Sequence, residues 1–468
     1  MMMSENNLRD SFIFGIATAG FQIEGGYNGS GEPANNWCEW EALGKVEPSG
    51  VAVNFWNDYE AHLDRVVSAG CNSFRLSIEW ARCEPKQGIY DEAAFTHYAK
   101  ILDACISRGL IPLVSLMHFT TPAYLGTSPW LSEKMPSLYA KWAKEVVSRF
   151  GDRVKYWVTL NEPNIFATMS YFMGMFPPGT QGKVSNSIRA LDNQMAGHVL
   201  AYNEIKKIQP NGVVSYNNFC FSVYELDRAI TDIMLARSKG VKKTDLGDYL
   251  SEAKARYYQV IPQPNKLENL LRKALSSLLK PTKVYSGLIE QVYKSESERP
   301  IDVIQIDFYN PLTSSHFRIP GHRSAGGRNW TPGRLLWDDP PDPETFVKYC
   351  VANSDNELEL WIVENGLCNR VKNGRAWSRQ DGWDRPRFMA EYIEALKTVM
   401  EKGVRVTGYW HWTLADNYEW GSYEPRFGIF GVDRERGIKI LATDSMGYDS
   451  AGAYRSLIEN FRNYLSKE

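Results

Sequence analysis

The sequence has no long hydrophobic run. No uncharged apolar stretch of this 468-residue chain approaches the roughly 20 residues that a membrane-spanning helix needs, so we expect no membrane span. The first residues, MMMSENNLRDSFIFG, also lack the basic segment followed by an apolar segment that marks a secretory signal peptide. These two absences predict a cytoplasmic protein.

Cysteine is scarce and is not arranged for metal binding. The chain has 7 Cys residues, an odd number, and none belongs to a CxxC pair, so neither a disulfide framework nor a zinc site is expected. The glycine pairs at 25–26 and 326–327 lack the lysine and the strand-to-helix setting of a phosphate-binding loop. We therefore predict no metal and no organic cofactor.

An excess of charge of either sign is also absent. The 53 Lys and Arg residues nearly balance the 55 Asp and Glu residues, so neither nucleic acid nor an anionic membrane is expected as the partner. Aromatic residues, in contrast, make up 13% of the chain and include 15 Trp. Most aromatic side chains fill cores, but aromatic faces also stack on the C–H faces of sugar rings. Composition alone leaves both interpretations open.

Short apolar segments alternate with longer helical patterns along the chain. Periodicity of 3.6 residues predicts helices at 55–69, 95–108, 138–150, 191–208, 387–400 and 453–465. Eight strand candidates begin near Phe12, Ser73, Leu110, Val154, Val213, Ile301, Leu358 and Val404. Strands that alternate with helices form parallel sheets, and eight such units predict a single (β/α)8 TIM barrel of the α/β class. No Pro-, Gly- or Ser-rich linker divides the chain, so residues 1–468 are expected to form one domain.

Polar side chains stand at the ends of several of these strands. The segment VKYWVTLNEP reaches Glu162 and LELWIVENG reaches Glu364, so two carboxylates follow apolar strands. A buried carboxylate is unfavourable unless it is paired or hydrogen-bonded. In a barrel the C-terminal ends of the strands meet at one mouth, where active sites are built. The same mouth would receive the other strand-end residues, Arg75, His118, Tyr309 and Trp412.

Two carboxylates that face one cavity suit the cleavage of glycosidic bonds. One acid protonates the leaving oxygen, and the other carboxylate meets the positive charge that develops on the sugar. A separation of about 5–5.5 Å gives a nucleophile and retention, whereas about 6.5–9.5 Å admits water and gives inversion. Spacing along the chain leaves both outcomes open. Arg75 and Tyr309 beside Glu364 would keep it ionised, although a purely structural salt bridge of Arg75 is an alternative.

Five motifs resemble those of family 1 glycoside hydrolases, the β-glucosidase and β-galactosidase family. In chain order they are FIFGIATAGFQIEGG, FRLSIEWARCEP, TLNEP, IVENG, and WTLADNYEW followed by RFGIFGVD. The resemblance covers nearly the whole chain. It implies a retaining β-glycosidase that acts on a small-molecule β-glycoside through a covalent glycosyl–enzyme intermediate. A β-glucosidase is the first expectation, with galactosides or fucosides as further substrates.

The resemblance also implies a role for each matching residue. Glu162 corresponds to the acid/base and Glu364 to the nucleophile, with Arg75 and Tyr309 orienting Glu364. Asn161 would bind the sugar 2-hydroxyl near the nucleophile. The full set of residues expected to bind the sugar is Gln22, His118, Asn161, Trp412, Glu419 and Trp420, with Trp412 as the stacking floor.

Two positions separate branches of that family. The thioglucosidase branch has Gln at the acid/base position, whereas this chain has Glu162, which implies cleavage of O-glycosides. The phospho-glycosidase branch has a small hydroxyl residue at the position of Glu419, where a carboxylate would repel a 6-phosphate. Unphosphorylated sugars are therefore expected.

Three features depart from the family pattern. Phe119 stands where the family usually has Trp, and the stretch after Trp420 is one residue shorter than usual. On strand six the usual Asn–Tyr–Tyr is DFY, with Asp307 in place of Asn. Asp307 adds a carboxylate near Glu364, which would either raise the pKa of Glu364 or pair with Arg75.

The segment between strands five and six matches the family least. An apolar stripe within 266–281 predicts an extra helical insertion packed on the barrel. Alternatively, this helix lies beside the mouth and offers a lipophilic wall to the leaving group, or it touches a membrane surface. Two other functions stay open: a transglycosylase that uses the same two Glu residues, and a non-catalytic glycan-binding protein on the same scaffold. The sequence sets no oligomeric state.

Overall fold

Eight parallel strands close into a barrel. The computed structural model describes residues 12–261, 270, 273–274, 277–309, 340–372, 375–379, 381–435 and 437–466. The barrel strands are β1 (Ile13–Ala17), β2 (Ser73–Ser77), β3 (Ile111–Ser115), β4 (Tyr156–Asn161), β5 (Val213–Phe219), β6 (Ile304–Asp307), β7 (Leu360–Asn365) and β8 (Val406–Trp412). Each strand pairs with its neighbour in the chain, and β1 pairs with β8 to close the ring. The predicted TIM barrel is confirmed.

Both faces of the sheet are covered, so the strands are buried whether their residues are apolar or polar. Every residue of β1, β2 and β7 is buried. Helices cover the outer face, so a strand residue is enclosed whichever way it points. The segment that begins near Phe12 is largely apolar, whereas β2 alternates polar and apolar residues and is still fully buried.

Large aromatic side chains fill the N-terminal half of the barrel interior. Tyr156 of β4 contacts Trp361 of β7 with ring centroids 5.3 Å apart, although their strands are not neighbours. Trp410 of β8 reaches across β1 and donates from Nε1 to the Ser73 hydroxyl at 3.0 Å. A Cβ on Gly15 of β1 would lie 2.1 Å from the Trp410 ring, so only glycine leaves room for this indole. The polar strand ends lie beyond this packed layer.

The six predicted helices are all present, and most begin a few residues earlier than predicted. The longer described helices are Phe55–Ser68, Glu92–Ser107, Met135–Phe150, Val184–Ile208, Arg228–Leu235, Leu246–Val260, Ser286–Lys294, Pro343–Asn353, Arg385–Glu401 and Ser450–Leu465. Asp91 caps the second helix by accepting from the N–H groups of Ala93 and Ala94, and Asp384 and Asp449 cap later helices in the same way. Periodicity misses these starts because a polar capping side chain, and not an apolar residue, sets them.

Short helical segments and small strands complete the described chain. The short helices are Gly20–Ile23, Cys38–Ala42, Trp80–Cys83, Ala123–Leu125, Pro129–Leu131, Pro163–Ala167, Thr168–Phe172, Lys243–Asp245 and Pro281–Val284. Outside the barrel lie the short strands Asn369–Lys372, Arg375–Ala376, Pro425–Arg426, Val432–Asp433 and Lys439–Ile440. None of the helices within the described ranges is both long and apolar enough to cross a membrane.

The segment predicted as an extra helical insertion falls mostly outside the described residues. Between β5 and β6 the structure describes four α-helices, of which Leu246–Val260 and Pro281–Val284 flank this segment. Of the predicted apolar stripe, Leu279 is buried, whereas Leu270 and Leu278 are 65% and 63% exposed. These two leucines therefore do not pack on the barrel, and packing of the predicted insertion as a whole stays a prediction.

Candidate active site

Three carboxylates meet at the C-terminal mouth of the barrel. Glu162 follows β4, Asp307 ends β6, and Glu364 lies near the end of β7. One oxygen from each carboxylate lies within 4.8 Å of one oxygen from each of the others. All three side chains are buried. The predicted meeting of Glu162 and Glu364 at one mouth is thus seen in the structure, with a third carboxylate beside them.

The backbone around these carboxylates is strained at three positions. Glu162 has a φ of 40°, and Phe119 and Trp420 have φ values of 65° and 42°. Side chains with a Cβ rarely adopt this left-handed conformation, and such residues concentrate at functional sites where surrounding contacts hold them. The Glu162 N–H donates to the Asn217 carbonyl at 2.9 Å, which anchors the turn between β4 and the helix Pro163–Ala167.

Arg75 holds Glu364 from across the mouth. Its Nη1 lies 2.7 Å from Glu364 Oε1, and the Tyr309 hydroxyl donates to Glu364 Oε2 at 3.1 Å. Strands β2 and β7 are not neighbours, so the guanidinium bridges the barrel mouth. Arg75 is fully buried, and its Nε donates to the Ser115 hydroxyl at 3.1 Å. These contacts fit the predicted orienting role of Arg75 and Tyr309.

Two asparagines extend this network around the barrel. Arg75 Nη2 donates to Asn161 Oδ1 at 2.5 Å and to Asn217 Oδ1 at 3.3 Å. Asn217 Nδ2 also donates to Asn161 Oδ1 at 2.9 Å. The Asn161 oxygen therefore accepts two hydrogen bonds, which turns its Nδ2 toward His118 Nε2 at 3.0 Å. Burial and the Arg75 charge hold the pKa of His118 well below its usual range, so the ring is neutral.

Asp307 does not form the expected ion pair with Arg75. Its Oδ2 instead accepts a hydrogen bond from Asn217 Nδ2, and its carboxyl shares a hydrogen bond with Glu162. Burial raises the pKa of Asp307 well above its usual range, and the charge of Glu364 raises it further. The alternative prediction, that Asp307 raises the pKa of Glu364, is also wrong, because the effect runs the other way and the charge of Glu364 raises the pKa of Asp307. The side chain in contact with Asp307 is Glu162.

The two predicted catalytic carboxyls have different surroundings. Burial raises the pKa of Glu364, but Arg75 and Tyr309 oppose this because both stabilise the carboxylate. Burial raises the pKa of Glu162 well above its usual range, and the charges of Asp307 and Glu364 add to this effect. Glu364 is therefore the carboxyl that ionises first, and Glu162 is the one that keeps a proton.

A second polar cluster lies on the other side of the mouth. Gln22 Nε2 donates to Glu419 Oε2 at 3.1 Å and to the Tyr418 carbonyl at 2.9 Å. A side-chain hydrogen bond also joins Trp412 to Glu419. Burial, followed by the charge of Glu364, raises the pKa of Glu419 to about 8. The structure thus brings Gln22, Trp412 and Glu419 together, as predicted.

Aromatic rings form one wall of the mouth. The His118 ring stacks on Trp412 at 5.9 Å and on Trp420 at 5.7 Å. Phe119, which departs from the usual Trp, packs its ring 4.9 Å from Trp420 in an edge-on arrangement. The shortened stretch after Trp420 is anchored by the Tyr423 hydroxyl, which donates to the Ser49 carbonyl. Both departures are therefore accommodated within the wall.

The three mouth carboxylates also form the one group, within the described ranges, whose His, Cys, Asp or Glu atoms are close enough to hold a metal ion. Arg75 already places a cation against Glu364 and would repel a second one. We assign no ion to this cluster, and the absence of a metal requirement stays a prediction.

The family of the chain follows from comparison with known proteins. A sequence model described as Glycosyl hydrolase family 1 matches residues 4–461. The chain belongs to glycosyl hydrolase family 1. It is accordingly a glycoside hydrolase of the β-glycosidase type with a small-molecule glycoside as substrate.

Relatives of this family 1 enzyme carry more than one name. It is 28% identical to Beta-glucosidase 47 of Arabidopsis thaliana over 90% of this chain and 81% of that protein. It is equally 28% identical to a 6-phospho-beta-galactosidase of Clostridium acetobutylicum over 92% of this chain and 93% of that protein. A family 1 β-glucosidase structure from Thermotoga maritima superposes with a TM-score of 0.72 at 22% identity, over 97% of this chain and 98% of that chain. This structural likeness supports the fold.

Two parts of the family 1 site escaped sequence analysis. Asn217, two residues before the end of β5, forms hydrogen bonds with Arg75, Asn161 and Asp307, and the search for polar residues near strand ends could have found it. Gly366 follows the IVEN segment, and a Cβ there would lie 2.1 Å from the Trp412 carbonyl oxygen. Only glycine lets the two strand ends approach this closely.

Proposed function

We propose that this enzyme is a retaining β-glycosidase that hydrolyses unphosphorylated O-linked β-glycosides, with β-glucosides as the preferred substrates. Glu364 is the nucleophile and Glu162 is the acid/base. The observation that carries the proposal is the contrast between these two neighbouring carboxyls. Arg75 and Tyr309 donate to Glu364, whereas no N–H or O–H of the described residues donates to Glu162 Oε1.

The closeness of the two carboxyls favours retention. Oxygens of Glu162 and Glu364 lie within 4.8 Å of each other, which agrees with the roughly 5–5.5 Å separation of retaining enzymes and is short for inversion. In the first step the Glu162 carboxyl donates its proton to the leaving oxygen while a Glu364 oxygen bonds to the anomeric carbon. In the second step Glu162 takes a proton from water, whose oxygen displaces Glu364 from the sugar.

Buried polar atoms without partners support a polyhydroxyl ligand. Gln22 Oε1, His118 Nδ1 and Glu162 Oε1 are buried and have no hydrogen-bond partner among the described residues. Buried polar atoms are normally hydrogen-bonded, so the lack of partners among the described residues calls for an explanation. A bound sugar supplies both donors and acceptors to this mouth, with Asn161, Glu419, Trp412 and Trp420 as its further contacts.

Glu419 favours an unphosphorylated sugar over a 6-phosphate. Its carboxyl faces Gln22 and Trp412, and no Lys or Arg of the described residues forms an ion pair with it. A phosphate that met this carboxyl would therefore find no cation of the described residues paired with it, and the phosphate would be repelled once the carboxyl ionises, near its pKa of about 8. The plant relative named a β-glucosidase supports a glucoside, and the relative named a 6-phospho-β-galactosidase makes the phosphate test essential.

One substrate panel tests the proposal. Initial rates on nitrophenyl β-glucoside, β-galactoside, β-fucoside, β-mannoside and β-glucoside 6-phosphate would rank the sugars, and NMR of the first product would give its anomeric form. We expect fastest turnover of the β-glucoside and a β-anomer as the first product. A preference for the 6-phosphate would contradict the role of Glu419, and an α-anomer would contradict retention.

Whether water or another acceptor receives the sugar from the glycosyl–enzyme intermediate needs a separate measurement. A transglycosylase would use the same Glu162 and Glu364 but would pass the sugar to an alcohol or a second sugar. The ratio of transfer product to free glucose at increasing acceptor concentration distinguishes the two. We expect free glucose to dominate when the acceptor is absent or dilute.

A further inference from the structure

Asp307 places a third carboxyl in contact with Glu162, and the catalytic cycle proposed above makes no use of it. The two side chains share a hydrogen bond, and one oxygen of each lies within 4.8 Å of the other. Glu162 Oε1 and Asp307 Oδ1 are both buried, and no N–H or O–H of the described residues donates to either. Two carboxylates offer only acceptors to each other, so a hydrogen bond between them requires a proton.

The surroundings decide which carboxyl keeps that proton. Asp307 Oδ2 accepts from Asn217 Nδ2, and Asn217 Oδ1 in turn accepts from Arg75 Nη2 at 3.3 Å. This chain of donors stabilises the negative charge on Asp307. No N–H or O–H of the described residues donates to Glu162 Oε1, and the charges of Asp307 and Glu364 disfavour its ionised form.

We propose that Asp307 is a positioning residue that shares one proton with Glu162 and keeps it on the Glu162 carboxyl, ready for transfer to the leaving oxygen. This inference rests on the acid/base role proposed for Glu162. After the transfer, the ionised Asp307 faces an ionised Glu162, and their repulsion makes Glu162 the stronger base for water in the second step. The proton that Glu162 loses to the leaving group is regained from water, so the cycle is balanced.

The other charged or titratable groups near Glu162 act in smaller or opposite ways. Glu364 on β7 adds negative charge, and Arg75 on β2 opposes it. The neutral His118 on β3 contacts Asn161, and Tyr309 donates to Glu364. Burial is the largest cause of the raised pKa of Glu162, and Asp307 is the largest cause from any side chain. Removing Asp307 is therefore the most direct way to weaken the hold of Glu162 on its proton.

The test compares Asp307→Asn with the unchanged enzyme over a range of pH. Asparagine keeps the shape of the side chain and removes its negative charge. For a phenyl β-glucoside, whose leaving group needs an acid, the alkaline limb of kcat/KM should move to lower pH by about one unit or more. Above that limb the variant should be about tenfold slower than the unchanged enzyme. For a 2,4-dinitrophenyl β-glucoside, which needs little acid assistance, the difference should shrink.

Two further variants control for structural effects. Glu419→Gln removes another buried carboxyl of the same mouth that is not bonded to Glu162, so it should change KM and leave the alkaline limb in place. Asp307→Ser should shift the limb in the same direction as Asp307→Asn, and it replaces the latter if that variant does not fold. Thermal melting of each variant shows whether it is folded at the pH of the assay.

Glu162→Gln separates failure of this inference from failure of the proposed function. It should lose activity on the phenyl glucoside and keep much of it on the dinitrophenyl glucoside. If it does so while both Asp307 variants keep the alkaline limb of the unchanged enzyme, the role of Asp307 is overturned. An equal shift in Glu419→Gln would also overturn it. If Glu162→Gln loses both activities equally, the acid/base assignment itself is wrong.

Discussion

The two carboxyls at the centre of the mouth are buried to a similar degree but stand in opposite surroundings. Glu364 is 4% exposed and Glu162 is 6% exposed. Glu364 meets the guanidinium of Arg75 and the hydroxyl of Tyr309, whereas Glu162 meets the carboxyl of Asp307. Donors favour the ionised form of a carboxyl, and a neighbouring carboxylate favours the protonated form. Burial alone would therefore leave the two side chains alike, and their partners make them different.

The barrel brings these partners from separate strands. Arg75 on β2 reaches Glu364 on β7 across the mouth, and Asp307 on β6 reaches Glu162 after β4 by way of β5. Each contact joins strands that are not paired with each other, so it depends on the curvature and closure of the sheet. A flat sheet would hold the same strand ends in a row and would leave these pairs apart.

Replacing Glu364 removes one side of the comparison altogether. We expect Glu364→Gln to lower kcat/KM by at least about 10⁴-fold on both the phenyl and the dinitrophenyl β-glucoside, because an amide cannot act as the nucleophile. Glu359→Gln, one residue before the start of the same strand, is the matched control and should keep its activity. Activity of Glu364→Gln on the dinitrophenyl substrate near that of the unchanged enzyme would contradict the assignment.

Removing Arg75 should make the surroundings of Glu364 resemble those of Glu162. Without the guanidinium the pKa of Glu364 rises, and a nucleophile must be ionised, so in Arg75→Gln the acid limb of kcat/KM should move to higher pH by about 1–3 units. The free energy of unfolding should fall by about 3–5 kcal/mol, because a buried carboxylate loses its partner. Both effects are checked by measuring kcat/KM and denaturant unfolding across a wide range of pH.

The control for Arg75 is another buried arginine of an ion pair. Arg82 lies 3.1 Å from Glu24 and is nearly as buried, but it stands outside the carboxylate cluster. Arg82→Gln should lower the free energy of unfolding and leave the acid limb unchanged. If both variants move the acid limb equally, the effect of Arg75 is structural and not electrostatic.

Removing the Tyr309 hydroxyl sharpens the comparison with a smaller change. Tyr309→Phe keeps the ring, which stacks on Phe219 at 6.0 Å, and deletes one donor to Glu364. We expect the acid limb to rise by less than about one pH unit, since a single hydrogen bond contributes about 1 kcal/mol. Tyr216→Phe, which removes a buried hydroxyl bonded to Thr231, should leave the limb in place. A shift as large as that of Arg75→Gln would contradict this ranking.

Much of the fold and part of the site were predictable from sequence patterns. The eight strands and six helices follow from apolar runs and periodicity, which depend on local burial. The starts of helices such as Glu92–Ser107 were missed because a capping side chain, Asp91, and not an apolar residue, sets them. Asp307 was expected either to raise the pKa of Glu364 or to pair with Arg75, but Asn217 accepts from Arg75 while donating to Asp307, and Glu162 is the carboxyl that Asp307 contacts. A periodic pattern along the sequence cannot predict a side chain that bridges two others in this way.

By itself, the sequence determined which polar residues lie on the barrel strands or directly after them. Once the barrel is known, the mouth is where four of these residues must lie: Arg75, Glu162, Asp307 and Glu364. Only the tertiary structure decided which of them touch. The pKa of each carboxyl depends on partners a few ångströms away that come from distant segments, and closure of the barrel sets those distances.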